Sequence, residues 1–287
     1  MQGRDTPPED AIWPLWPSAE PRPLAGLYLA HDLQAAARHA PLVYANFVAS
    51  LDGRIAIGEG GVPSGIANPR DWWLFQELAV QADAILVGGR HLRDRINGLA
   101  QDLFAAFHAP RYAELRDWRA ERGLPAWPCI VVASRRLDLI PPADIPTERL
   151  LILTGAAAAR SPAAERLRQA GAEVVEAGRD EVEAGTAVAL LAARGLRAIY
   201  AVGGARVLHL LAARGVLSRL YLTQVHRLLG GGPPTTLIEG AAFRPPLDLR
   251  LHRLYYDPAA PGMGGQLFGC YQAAEPGDST PLTQETP

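Results

Sequence analysis

The run Tyr200-Ala201-Val202-Gly203-Gly204-Ala205-Arg206-Val207-Leu208 is a short apolar strand, a Gly-Gly turn and the opening of an amphipathic helix. Paired glycines at a helix start let backbone N–H groups come close to an anion, and the helix dipole favours negative charge there. Such a turn suits the pyrophosphate of a dinucleotide. The spacing is not the G-x-G-x-x-G of the Rossmann fingerprint, so a different nucleotide-binding fold is indicated. Alone, Gly-Gly before a helix is also an ordinary loop, and its meaning comes from its flanks.

Working outward, apolar runs alternate with helical patterns. Leu42 to Ala49 predicts a strand, and Ser50-Leu51-Asp52-Gly53 turns out of it. Asn68-Pro69-Arg70-Asp71 predicts a helix start, with Asn as cap, Pro in the first helical position and Asp in the first turn. That helix is expected to reach about Ala82. Further strands are predicted at Asp83–Gly88, Cys129–Ser134, Leu150–Thr154 and Glu173–Glu176, with helices at about 162–170 and 182–194. Arg219–Val225, Leu249–Tyr256 and Gly265–Tyr271 are β-rich, the last two as an antiparallel closing pair. Alternating strands and helices followed by strands alone imply an α/β fold with a mixed sheet, parallel in the middle and antiparallel at its edge. One domain is expected over residues 41–272. A Pro- and Trp-rich extension over 1–40, carrying Trp13, Trp16 and Tyr28, precedes it as an extended arm with its aromatics laid on the body of the protein or on a partner subunit, and a disordered tail is expected over 273–287.

Composition narrows the function classes. The 287 residues are 48% hydrophobic with a net charge of −2, which gives no general argument for nucleic-acid or membrane binding. Every basic side chain is Arg, so Schiff-base chemistry through Lys is excluded. Cys129 and Cys270 lie in apolar strand-like contexts and fit buried thiols of a reducing compartment. No Cys/His cluster has zinc-ligand spacing, so no metal is expected. No signal pattern or membrane-length apolar run occurs, and a soluble cytoplasmic protein is expected.

Ligands of α/β sheets collect where strands end, and four strand ends here carry unusual chemistry. Val48-Ala49-Ser50-Leu51-Asp52-Gly53-Arg54 offers a carboxylate, either a turn acceptor or a cleft acid. Gly88-Gly89-Arg90-His91 pairs glycines with a cation, as a phosphate site or a surface turn. Ala133-Ser134-Arg135-Arg136 sets a hydroxyl and two cations past a strand, as a nucleotide contact or a solvated basic turn. Gly203-Gly204-Ala205-Arg206 is the fourth. Together they describe a cleft able to hold a dinucleotide.

At these residues the chain resembles the pyrimidine reductases of riboflavin biosynthesis, the reductase half of the bifunctional deaminase–reductase. Val48-Ala49-Ser50-Leu51-Asp52-Gly53-Arg54-Ile55 looks like the family's opening strand and Ser-Leu-Asp-Gly-Arg motif. Asp83–Gly88, the Ser134 turn, Gly171–Val175 and the Gly203-Gly204 helix follow in its order. The resemblance spans about Pro41 to Tyr271 and implies the dihydrofolate reductase-like fold. Gly89-Arg90-His91 also resembles the phosphate loop of dihydrofolate reductases, and Val202–Val207 with Leu220–Thr223 resembles their Gly-Gly helix and next strand.

The resemblance implies NADPH along the sheet's carboxyl edge. Val48 and Ala49 would flank the nicotinamide. Gly203, Gly204, Ala205, Arg206, Val207 and Leu208 would hold the pyrophosphate, with Gly88, Gly89, Arg90, His91, Ser134 and Arg135 near the adenosine phosphates. Ser50 and Ser64 are expected on the substrate side, and Asp52 and Asp71 are the proton-donor candidates beside a solvent proton. The implied reaction is hydride transfer to a C=N carbon of a pyrimidine-ribosylamine, in a homodimer with a small-molecule substrate. Three family features are altered. Arg90-His91-Leu92-Arg93-Asp94-Arg95-Ile96 stands where the family usually carries Gly-Thr-Val-x-x-Asp-Asp-Pro, Val202 stands where Glu usually precedes the glycines, and a Leu-Thr-Val-Arg stretch is missing. The zinc-deaminase motifs are also missing. A folate or pterin reductase, with Asp71 as its cleft carboxylate, and a non-catalytic NADPH-binding module remain as alternatives.

Overall fold

The computed structural model describes residues 10–56, 65–232, 235–262 and 264–273. Ser64 and residues 274–287, expected as a substrate contact and a disordered tail, lie outside the described residues. In chain order the strands are β1 (Trp13–Trp16), β2 (Leu42–Ala49), β3 (Ala84–Gly88), β4 (Cys129–Ala133), β5 (Leu150–Thr154), β6 (Glu173–Glu176), β7 (Ala198–Ala201), β8 (Arg219–Val225), β9 (Leu249–Asp257) and β10 (Gln266–Ala273). The α-helices are α1 (Leu33–Ala36), α2 (Pro69–Ala79), α3 (Gly89–Ile96), α4 (Ala105–His108), α5 (Ala113–Glu121), α6 (Ala156–Ala159), α7 (Pro162–Gln169), α8 (Ala184–Ala193) and α9 (Ala205–Ala213).

All ten strands join one sheet in the order β1-β9-β10-β8-β2-β7-β3-β4-β5-β6. From β8 through β6 neighbours run parallel, while β10, β9 and β1 are added antiparallel. Because side chains alternate across a strand, β2 sends Leu42 and Tyr44 to one core and Val43 and Ala45 to the other. The first core packs under α2, α4 and α5, the second under α8 and α9. Helices therefore cover both faces, as expected for a largely parallel sheet.

Local chemistry sets α2. The Asn68 side chain accepts from the N–H groups of Arg70 and Asp71, and Pro69 opens the first turn. The helix ends at Ala79, where the Arg119 guanidinium, itself 1% exposed, donates to the carbonyls of Val80 and Ala82. By contrast, Gly88-Gly89-Arg90-His91, left open from sequence between a phosphate site and a surface turn, opens a helix over Gly89–Ile96 that the sequence did not predict. It buries only Gly89 and Leu92, so it lacks apolar periodicity. Ion pairs Arg90–Asp94, Arg93–Asp138 and Arg95 with Asp102 and Asp144 help to hold it.

Residues 10–40 are woven into this body. β1 pairs with β9, and Ile12, Leu27, Tyr28 and Leu33 join the core under α2. Glu77 of α2, fully buried, accepts from the N–H groups of Gly26, Tyr28 and Leu29 and from the Trp73 indole. Both oxygens of Glu77 face donors. Glu77→Gln puts an NH₂ against N–H groups, which costs about 1–3 kcal/mol by leaving buried donors unpaired. Urea unfolding measures this, and an unchanged midpoint would show that the segment is not anchored there.

Candidate active site

The carboxyl edge of the sheet parts between β2 and β3. β2 pairs with β7 only as far as Ala45 opposite Ala201, then runs on to Ala49 against β8 alone. β7 likewise leaves β3 after Leu86, while β3 continues beside β4 to Gly88. The Gly203-Gly204 turn stands in this split, tied by the Val202 N–H to the Leu86 carbonyl.

Two helix starts flank each other there. Gly88 caps α3 and Gly204 caps α9, and a Cβ on Gly88 would lie 4.0 Å from the Gly203 carbonyl oxygen. Gly204 is exposed, holds φ +79°, and has open space beside it. The other two glycines are sterically required. A Cβ at Gly203 would come 2.4 Å from Val207 Cγ2, and one at Gly89 would come 2.9 Å from Ser134 Oγ. In α9 the ladder begins with the Leu208 N–H to the Gly204 carbonyl, so the amides of Ala205, Arg206 and Val207 lack intrahelical acceptors. These features form a backbone cradle beside the exposed Arg90 and Arg135.

Several sequence-assigned side chains have other occupations. Arg206 pairs with Glu239 at 2.6 Å, Ala205 and Leu208 are buried, and Val207 closes over Gly203. Any contribution they make to the edge is through backbone. The His91 imidazole turns inward against Phe104, where burial drops its pKa to about 4. The Ser134 hydroxyl accepts the Leu137 N–H at 3.2 Å, closing the turn after β4.

Asp71 and Asp52 are opposites. Asp71, 7% exposed, accepts the Thr223 hydroxyl at 2.5 Å. Thr223 stands opposite Val48 in the β8–β2 register, so the carboxyl lies against the strand pair bordering the split. Burial raises its pKa to about 6, against the opposing effect of the Thr223 bond. Asp52 takes the Ser50 hydroxyl at 2.5 Å, Arg54 Nε at 3.0 Å, and the N–H groups of Leu229 and Gly230 at 3.1 and 2.9 Å. The Ser50 bond first, then the Gly230 and Leu229 N–H groups, hold it far below the usual carboxylate range. Such a group is ionised at neutral pH and has no proton to give. Arg54 reaches the carbonyls of Gly231 and Gly232, so the motif staples the strand end to the 229–232 loop. Ser50 is fully buried inside this turn rather than facing a ligand. Asp52→Ala should therefore speed hydrogen exchange at the Leu229 and Gly230 amides; unchanged protection there would contradict the staple.

Asn46 is a residue the sequence reading passed over. It shares a face of β2 with Tyr44 and Val48, and its Oδ1 accepts the Tyr200 hydroxyl at 2.5 Å. With its oxygen so engaged, its amide N–H groups are the donors it can offer a ligand in the split. A lone Asn inside an apolar strand was the available signal.

The profile of the RibD C-terminal domain family matches residues 41–258. No curated protein matches the chain at a significant level. Among solved structures, a pyrimidine reductase-like protein of Corynebacterium diphtheriae is 21% identical with a TM-score of 0.66, over 84% of this chain and 94% of that one. Acinetobacter baumannii RibD is 16% identical with a TM-score of 0.58, over 82% of this chain and 58% of its own. The Thermotoga maritima diaminohydroxyphosphoribosylaminopyrimidine deaminase/5-amino-6-(5-phosphoribosylamino)uracil reductase is 14% identical with a TM-score of 0.55, over 83% of this chain and 58% of its own. The chain thus spans little more than half the length of the latter two. The mixed α/β fold expected from the sequence is the one these structures share. This chain belongs to the RibD C-terminal domain family.

Proposed function

We propose that this protein is an NADPH-dependent reductase acting on a C=N carbon of a pyrimidine-ribosylamine or related substrate. The observation that carries this reading is the placement of two glycine-capped helix starts side by side in the split, with a buried carboxyl of raised pKa against its wall. The chain fits a dinucleotide there. Gly88, Gly89, Gly203 and Gly204 present backbone, the α9 amides seek acceptors, and Arg90 and Arg135 supply the positive charge that a 2′-phosphate needs. Bound along this edge, the cofactor would supply the hydride.

The protein's own part is alignment, water exclusion and a proton. Beyond Ala45, β2 has no strand neighbour on the β7 side; the Val48 and Ala49 side chains are buried, so it is their unpaired backbone edge that would meet a planar ring. Asp71, oriented by Thr223, takes up and releases a proton near pH 6 and is the donor to the substrate nitrogen; Asp52 keeps the flanking loop in place. Asn46 orients the heterocycle through its amide.

One observation favours a second reading. A buried carboxylate on the first long helix, bonded to a strand threonine, also suits a pterin, and Val202 occupies the place where the pyrimidine reductases usually carry Glu. Calorimetry with NADPH and NADH, followed by loss of nicotinamide absorbance on a panel of pyrimidine-ribosylamines and dihydropterins, separates the readings. Uptake of NADPH and turnover of a pyrimidine are expected. Turnover of pterins alone selects the second reading, uptake without any turnover selects a binding module, and uptake of neither cofactor ends all three.

A further inference from the structure

A second cationic centre lies away from the carboxyl edge, on the face of the antiparallel strands that the N-terminal segment covers. In the β8–β10 register Tyr221 stands opposite Cys270 and Arg219 opposite Gln272, and Cys270 in turn stands opposite Arg253 of β9. Paired residues, and residues two apart, share a face, so Arg219, Tyr221, Arg253 and Tyr255 form one patch. His31 lies on it, with Nδ1 2.9 Å from the Tyr221 hydroxyl and Nε2 2.9 Å from the Tyr255 hydroxyl. The Tyr28 ring packs against it, 5.2 Å between centroids.

The charge on this patch is one-sided. Burial, then Arg253, Arg219, His252 and Arg22, hold His31 neutral, well below the usual histidine range. No carboxylate figures among those neighbours. Among the described residues, no Asp or Glu forms an ion pair with Arg22, Arg219 or Arg253. The Nε atoms of both Arg219 and Arg253 are buried and find no acceptor. Arg219 lies against Tyr221 and Arg253 against Tyr255, the two tyrosines whose hydroxyls bond His31. Like charges gathered on neighbouring strands repel, and a buried donor without an acceptor is costly. One oxyanion answers both, because a phosphate accepts from several guanidinium N–H groups at once.

We propose that Arg219 and Arg253, with Arg22 at the rim, form a phosphate-binding site separate from the nucleotide edge, open to inorganic phosphate or a small phosphate monoester. The site stands on the strand register and the two acceptorless Nε–H groups, and it is independent of the reductase reading.

The test is a titration of the full chain with inorganic phosphate, and separately with ribose 5-phosphate, followed by imidazole NMR with the His31 resonance assigned from His31→Asn. Saturable displacement of His31 is expected in the wild type and in Arg90→Gln, which alters only the other edge. Arg219→Gln and Arg253→Gln should each bind about tenfold more weakly, the loss of charge-assisted bonds. Both should melt no lower than the wild type in phosphate-free buffer, because like-charge repulsion is relieved, and should lose the stabilisation that phosphate gives. Tighter binding of ribose 5-phosphate supports a sugar-phosphate ligand, and equal binding supports phosphate itself. Absence of a saturable His31 shift, or wild-type phosphate affinity in both arginine variants, overturns the site.

Discussion

Asp71→Asn should lower kcat by about 10²–10⁴-fold, the usual worth of a positioned general acid, while making the protein more stable above pH 6. The sign follows from burial. The folded protein raises the carboxyl pKa to about 6 from an ordinary 3.8, so it binds this proton more tightly than the unfolded chain does. Stability from this group is fully present below about pH 4, declines as pH rises, and is lost above about pH 6. The loss approaches about 3 kcal/mol, because each tenfold change in proton affinity is worth about 1.4 kcal/mol. Asparagine has no charge to bury and keeps an oxygen for the Thr223 hydroxyl. The variant's advantage should therefore be greatest above pH 7 and vanish below pH 4 in denaturant titrations. Wild-type kcat should fall as pH rises through about 6, and the variant should lack that inflection. Unchanged turnover together with the stability gain would leave Asp71 a purely structural acid.

Gly203→Val should cost about a hundredfold or more in NADPH affinity, the worth of one or two charge-assisted bonds. The new Cβ meets Val207 Cγ2 at 2.4 Å and Val207 Cβ at 2.7 Å. Valine in a helix has one strongly preferred rotamer, so Val207 cannot step aside and the first turn of α9 must shift. A fall of a few degrees in melting temperature should accompany this, because overpacking costs about 1–3 kcal/mol. Gly204→Ala is the control. Its Cβ meets nothing within 4 Å, and the φ of +79° strains only the backbone. Calorimetry on both variants checks the assignment. If Gly203→Val takes up NADPH as the wild type does, the turn is not the phosphate seat.

What the sequence disclosed was local. Apolar runs bounded by turn residues marked nine of the ten strands, and Asn68-Pro69 marked the start of α2 because capping needs only neighbours in the chain. The sequence grouped the two glycine turns in one cleft, but not the split that seats them, which depends on β7 lying between β2 and β3. Asp52 and Asp71 both stood as proton-donor candidates for a related reason. Their chemistry is set by Leu229, Gly230 and Thr223, which tertiary packing brings in from far along the chain. Residues 1–40 read as an arm with its aromatics on the body or on a partner subunit; proline density masked β1 and the burial of Ile12 and Leu33.

The placement of β1 has a practical outcome. It is the sheet's outermost ribbon, seated on β9, and it carries Pro14 with Pro17 just beyond. Proline has no N–H to offer a newcomer, and such residues blunt sheet rims against polymerisation. Excising the protein at residue 41, where the family profile starts, would bare β9 and invite fibrous assembly during purification. Recombinant fragments and domain grafts should begin upstream of Ile12.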